Sequence, residues 1–128
     1  MPSRDIKQCV VELQAAWSHI LAAYLDAHPN RSLMLTATYR NVEEQQALYA
    51  QGRTSPGPIV TQCDGVIIKS KHNSTPSLAL DFAVLIAGKL TWDVSEYAAV
   101  GKIAQDIGLV WGGSWPTFPD AVHLEVKA

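Results

Sequence analysis

One residue constrains this chain more than any other. Asp81 lies inside Leu78–Gly88, the longest apolar run, in the context Leu78-Ala-Leu-Asp-Phe-Ala-Val. A run this short does not span a bilayer, which needs about 20 apolar residues in a helix. It reads instead as a buried strand. A carboxylate in such a strand loses its hydration on folding, and burying it bare is costly. A cation, hydrogen bonds or a metal must replace the lost water. Any fold open to this sequence has to bring such partners to the middle of a buried strand.

The rest of the chain can build a core around that strand. It has 128 residues, 48% of them hydrophobic and only 17% charged, against about 25% charged in an average soluble domain. That balance argues against intrinsic disorder and fits a single domain over 1–128. The net charge is −2, so there is no bulk basic field to hold nucleic acid. The start, Met-Pro-Ser-Arg-Asp, lacks an apolar segment behind a basic end, so no secretory signal peptide is expected. Cys9 and Cys63 form no C-x-x-C pair, which suggests a reducing compartment of synthesis.

Periodicity supplies the elements. Val10, Leu13, Trp17, Ile20, Tyr24 and Leu25 recur at helical steps, giving a helix over Ile6 to Leu25, capped by Ser3 or Asp5 and stopped at Pro29-Asn30. Leu33 to Tyr39 alternates as a strand. Asn41-Val-Glu-Glu44 has the form of a capping box and opens a short helix to about Gln51, before a Pro- and Gly-bearing loop from Arg53 to Pro58. Ile59-Val60-Thr61 reads as a short strand. Ala87-Gly88 turns the Asp81 strand back through Leu90-Thr91-Trp92. Ser95 begins a last helix with Tyr97, Val100, Ile103, Ala104 and Ile107 on its apolar face and Gly108 at its end. Leu109–Trp111 and His123–Val126 complete the strands. The class is α+β, a small antiparallel sheet with flanking helices. Trp92 and Trp111 are expected in the core, and Trp115, between a glycine pair and a proline, is placed to line a cleft.

Two of the four histidines stand out. His19 and His28 fall on and just after the first helix and read as surface or cap residues. His72 sits in the polar stretch Ser70-Lys-His-Asn-Ser-Thr-Pro-Ser just before the Asp81 strand, and His123 opens the last strand, three residues after Asp120. Two imidazoles and one carboxylate make a three-ligand metal site with a position open for water, and zinc held this way brings the pKa of bound water to about 7. Asp120 is then the natural proton acceptor. The same donors suit non-haem iron, but the iron oxygenases usually place the first histidine and the acid two residues apart, and here the separation is nine. Zinc is the better match.

At this point the chain resembles a known family. Ser70-x-His72, Ala79-x-Asp81, Trp111-Gly-Gly-x-Trp115 and Phe118-x-Asp120-x-x-His123-x-Glu125, together with Tyr39-Arg-Asn-Val-Glu-Glu-Gln-Gln-Ala-Leu-Tyr-Ala-Gln-Gly-Arg53, are similar to the zinc peptidases that include the phage L-alanyl-D-glutamate endopeptidases and the D-alanyl-D-alanine carboxypeptidases and dipeptidases. The resemblance spans roughly Tyr39 to Val126. It implies a zinc site on the sheet formed by His72, Asp81 and His123, with Asp120 as catalytic acid/base. Arg40 would hold a substrate carboxylate or stabilise the oxyanion. Ser70 and Glu125 would orient a ligand or touch substrate, and Trp115 would line the cleft. Two positions depart from the usual pattern. The His72–Asp81 spacing is long and contains Pro76, and Ser114 stands where the family often has Asp.

The function implied is a zinc-dependent peptidoglycan peptidase cleaving the stem peptide, in the first place an L-alanyl-D-glutamate endopeptidase of the phage endolysin kind. Such a protein would be a monomer made in the host cytoplasm without a signal peptide. It would reach the wall after release through a pore made by a separate holin, with no membrane insertion of its own. A D-alanyl-D-alanine carboxypeptidase or dipeptidase shares the metal site. A non-catalytic, zinc-stabilised wall-binding module is the alternative from another class.

Overall fold

The computed structural model describes residues 2–127. Three helices, α1 (Val11–Ala27), α2 (Val42–Ala50) and α3 (Val94–Asp106), accompany five strands: β1 (Arg31–Ala37), β2 (Ala79–Ile86), β3 (Lys89–Thr91), β4 (Val110–Trp111) and β5 (His123–Glu125). All strand pairs are antiparallel, in the order β1-β2-β5-β4. β3 joins the far end of β2 through Val84–Ile86, on the edge whose near end, Ala79–Asp81, pairs with β5. The α+β class with an antiparallel sheet and flanking helices is what the periodicity indicated.

β2 is the centre of the sheet, and its alternation sorts the two faces. Leu80, Phe82 and Val84 join Leu13, Trp17, Ile20 and Tyr24 of α1 and Tyr97, Val100 and Ala104 of α3 in one core. Asp81 therefore points to the opposite face. The residue across from it on β5 is His123, and directly opposed residues share a face. One antiparallel register thus delivers a histidine to the buried carboxylate.

The first helix starts later than its periodicity suggests. Ile6–Gln8 is a 3₁₀ turn capped by Asp5, and Cys9 is extended. Ser77 causes the break. Its N–H donates to the Gln8 carbonyl at 2.7 Å and its carbonyl accepts from Val10 N–H at 3.0 Å, so these groups serve a bridge to a distant segment. Val10 becomes a cap with no side-chain bond, and Leu25 and Ile107, placed on apolar faces by spacing, are exposed. β1 ends at Ala37 rather than Tyr39 because its register shifts after Leu35 and Thr38 N–H turns to Ser3 O. Ile59–Thr61 forms no strand. α2 opens with the capping box expected of Asn41 and Glu44.

The tryptophans divide. Trp111 packs against the core and donates from Nε1 to Ala121 O at 2.8 Å. Trp92 does not pack in the core: β3 stops at Thr91, Asp93 caps α3, and the ring between them is 65% exposed, stacked on Tyr97 at 6.1 Å. Gly101 on α3 leaves room for Trp111, since a Cβ there would overlap the indole. Gly→Ala inside a helix ordinarily stabilises by about 1 kcal/mol, but overpacking costs about 1–3 kcal/mol. Gly101→Ala should therefore lower stability, read as a fall in the midpoint of urea unfolding.

A second tie joins α1, β1 and α3. Arg31 forks onto Glu96 at 3.1 and 3.0 Å, and Tyr24 Oη donates to the same carboxylate at 2.7 Å. Those bonds from Arg31 and Tyr24 hold Glu96 down at about 2, from an ordinary 4.5. A carboxyl lowered by folding stabilises fully above its unfolded value and loses that contribution as pH falls through its folded one. The unfolding midpoint should therefore drop between about pH 4.5 and 2, and Glu96→Gln should flatten the slope in that window.

Candidate metal centre

His72, Asp81 and His123 each offer a ligand atom, and these atoms lie within 4.8 Å of one another. Asp81 Oδ1 is 3.1 Å from His72 Nε2 and 3.2 Å from His123 Nδ1. The remaining nitrogen of each ring is engaged on the other side. His72 Nδ1 meets the Thr38 carbonyl at 2.7 Å, and His123 Nε2 meets Glu125 Oε1 at 2.8 Å. A carbonyl or carboxylate acceptor fixes the proton on the nitrogen facing it and leaves the inward nitrogen as a lone pair. Two lone pairs and one carboxylate oxygen, converging on the floor of a cavity, fit a divalent cation.

Local structure explains the placement. Ser70 caps a 3₁₀ turn, Lys71–Asn73, accepting His72 N–H at 3.2 Å while Asn73 Oδ1 accepts Ser70 N–H at 2.8 Å. The segment after β1 then clamps His72 twice. Thr38 O takes its ring N–H, and Arg40 N–H donates to its carbonyl at 2.9 Å. The longer stretch between His72 and Asp81 closes on itself, with Leu78 N–H reaching Lys71 O at 3.1 Å. The nine-position separation therefore does not part the ligand atoms.

The electrostatics follow from this enclosure. Burial works against the Asp81 charge, but the two histidines outweigh it and hold the carboxyl far below its usual range. Burial also opposes a proton on His123, yet its bonds to Asp81 and Glu125 raise it to about 9. Arg40 is buried, with Nη2 3.4 Å from Asp81 Oδ2 and Nη1 donating to Gln45 Oε1 at 2.8 Å. Asp120 moves the other way: burial and the neighbouring charge of Asp81 raise its carboxyl.

An open cavity of about 760 Å³ lies over the cluster, lined by its three residues and by Arg40, Ser70, Trp115, Asp120 and Glu125. Trp115 stands 5.1 Å, ring to ring, from His123. Ser114 is not in the lining; it is exposed, and its Oγ donates to Trp111 O at 2.8 Å. Cys9 is in the core, where burial and Asp5 push its thiol up to about 11, and Cys63 lies along the cavity. Neither cysteine is in the ligand cluster.

Some contributors carry no chemical signature in the sequence. Thr38 acts through a main-chain carbonyl, which no side-chain pattern reveals. Gln45 is fully buried, holding Arg40 and donating to the Cys63 carbonyl at 2.8 Å; a polar residue at an inward position of α2 was its one available sign. Gly112 accepts Asp120 N–H at 2.9 Å, and a Cβ there would collide with the Asp120 carbonyl and crowd His123.

The chain has relatives among known proteins. Residues 66–126 match the family described as D-alanyl-D-alanine carboxypeptidase. The chain is 37% identical over 110 residues to the peptidoglycan L-alanyl-D-glutamate endopeptidase CwlK of Bacillus subtilis (strain 168), covering 78% of this chain. By sequence, the chain is a relative of these peptidases. It spans 64% of the length of CwlK. The L-Ala D-Glu endopeptidase ChiX of Serratia marcescens shares the fold, with a TM-score of 0.68 at 20% identity, covering 99% of this chain and 89% of that one. The matched segment contains His72, Asp81, Asp120 and His123 but not Arg40.

Gly112→Ala should therefore disturb the centre more than the core. The expected outcome is weaker uptake of a divalent metal ion, by calorimetric titration, with far-ultraviolet circular dichroism retained.

Proposed function

We propose that this chain is a zinc-dependent peptidase that cuts the peptidoglycan stem peptide between L-alanine and D-glutamate. The observation that carries the reading is the convergence of His72 Nε2, His123 Nδ1 and Asp81 Oδ1 beneath an open cavity that Asp120 also lines. The L-alanyl-D-glutamate endopeptidase activities of CwlK and ChiX support the bond chosen. Two nitrogens and one oxygen suit zinc with a position left for water. A zinc ion bound there supplies a Lewis acid and an acidified water.

The remaining work falls to the chain's own groups. Asp120, held by Gly112 and raised by burial, accepts a proton from the attacking water and returns it to the leaving amine. The buried Arg40 Nε has no hydrogen-bond partner among the described residues, and a buried donor without a partner calls for one. That atom is sealed from the cavity, so the role of Arg40 rests on its guanidinium charge, which lines the cavity beside Asp81 and stabilises the developing oxyanion. Glu125 and the Thr38 carbonyl keep both imidazoles in the tautomer the metal needs. Ser70 acts through the turn that carries His72, and Trp115 forms part of the wall that receives the peptide.

The cavity favours an endopeptidase over a carboxypeptidase or dipeptidase. It is open and has apolar walls at Leu48, Ile59, Val60 and Phe118, room for chain on both sides of the cut bond. The position of Asp120 favours an enzyme over a structural zinc module, which needs no spare acid. The endolysin role belongs to the same proposal: one 1–128 domain, acting as a monomer and reaching the wall through a separate holin. Among the described residues no helix is long and apolar enough to cross a membrane.

Asp120→Ala should keep its fold and its Zn²⁺ while releasing peptide amines from purified peptidoglycan about 10²–10⁴-fold more slowly. Full activity in that variant would sink the mechanism. Mass spectrometry of the unaltered protein's products should show new D-glutamate amino termini. Free D-alanine instead would move the assignment to a carboxypeptidase.

A further inference from the structure

Lys71 was not singled out by its residue type, yet its side chain reaches across the site. Its Nζ lies 2.8 Å from Glu125 Oε2 and donates to the Val126 carbonyl at 2.6 Å. The other oxygen of Glu125, Oε1, is the partner of His123 Nε2 at 2.8 Å. The chain of contacts therefore runs Lys71–Glu125–His123–Asp81–His72 and returns, through one peptide bond, to Lys71. One dipeptide anchors both imidazoles: His72 directly and His123 through Glu125.

We propose that Lys71 is a positioning residue for the metal centre, holding Glu125 in the one rotamer that turns His123 Nδ1 toward Asp81. The inference rests on the metallopeptidase reading above. The physical argument is geometric. Glu125 is a flexible side chain on a three-residue strand next to an open cavity, and nothing about His123 alone selects which carboxylate rotamer faces it. Lys71 makes that selection, because two acceptors, Glu125 and the Val126 carbonyl, fix its own ammonium. It also supplies a positive charge beside a second carboxylate close to Asp81. Without it, Glu125 is free to turn to water, and His123 then loses the acceptor that defines its tautomer. The backbone at Lys71 completes the brace: Leu78 N–H donates to its carbonyl at 3.1 Å, and Val126 N–H donates to Leu78 O at 3.0 Å.

The test uses metal binding and spectroscopy rather than hydrolysis. Lys71→Met and Lys71→Arg are titrated with Co²⁺, followed by its visible absorption, and with Zn²⁺ in competition. Lys71→Met should bind about 10–100-fold more weakly and change the Co²⁺ band shape, and Lys71→Arg should restore most of both. In a Glu125→Gln background, Lys71→Met should add little, because its route to the metal is already cut. Unchanged affinity and spectrum in Lys71→Met, with only a lower melting temperature, would show a loop tether and overturn the proposal. An equal effect in both backgrounds would overturn it as well. Failure of the unaltered chain to take up either metal would instead overturn the metallopeptidase reading, and this inference with it.

Discussion

The structure turns on one carboxylate, Asp81, whose side chain is only 15% exposed. Asp81 sits in the central strand with its apolar neighbours committed to the core, so its charge has to be met from the other face of the sheet. Three groups meet it: His72, His123 and Arg40, at 3.1, 3.2 and 3.4 Å. Each arrives by a different device. His123 comes by strand register, His72 by a capped turn clamped against the end of β1, and Arg40 by the loop that makes that clamp. Opposite charges and hydrogen bonds outweigh desolvation here, which is why the carboxyl stays ionised despite its burial.

The division of the sheet into two faces lets a small domain carry such a site. Leu80, Phe82 and Val84 face α1 and α3, while the polar cluster occupies the reverse side of the same strand. Two of the cluster residues are on paired strands, which hold side chains more firmly than loops do. The mobile tasks fall to the periphery. Asp120 is on a loop, but a hydrogen bond to Gly112 and the absence of a Cβ there pin it. Exposed apolar side chains such as Ile59, Val60 and Phe118 border the cavity where a substrate chain would lie.

Much of this was legible in the residues, and the unreadable part has a common cause. A carboxylate in an apolar run announces a buried charge, and local polarity around His72 separates it from His19 and His28. Arg40 was legible only through resemblance, since a single arginine after a strand has no distinctive spacing. What stayed hidden depends on long-range backbone contacts. The bridge from Ser77 to Gln8 and Val10 breaks a helix whose periodicity runs through the break. The Thr38 carbonyl, a main-chain group, orients His72. Trp92 looks like a core residue by type, but a strand that stops one residue earlier leaves it outside.

The His72–Asp81 spacing shows why distance along the chain is a poor guide to distance in the site. Nine positions separate them, more than the usual pattern of the resembling peptidases, and a flexible loop of that length would leave the two groups loosely related. The loop is not flexible where it matters. Lys71 O accepts from Leu78 N–H, Ser77 Oγ donates to the Thr38 carbonyl at 3.1 Å, and that carbonyl also receives the His72 ring. Ser77 near the end of the stretch is therefore tied to the same carbonyl that orients the imidazole. The nine-position separation therefore leaves the ligand atoms within reach of one another, because the stretch between them is tied at Lys71, Ser77 and Leu78.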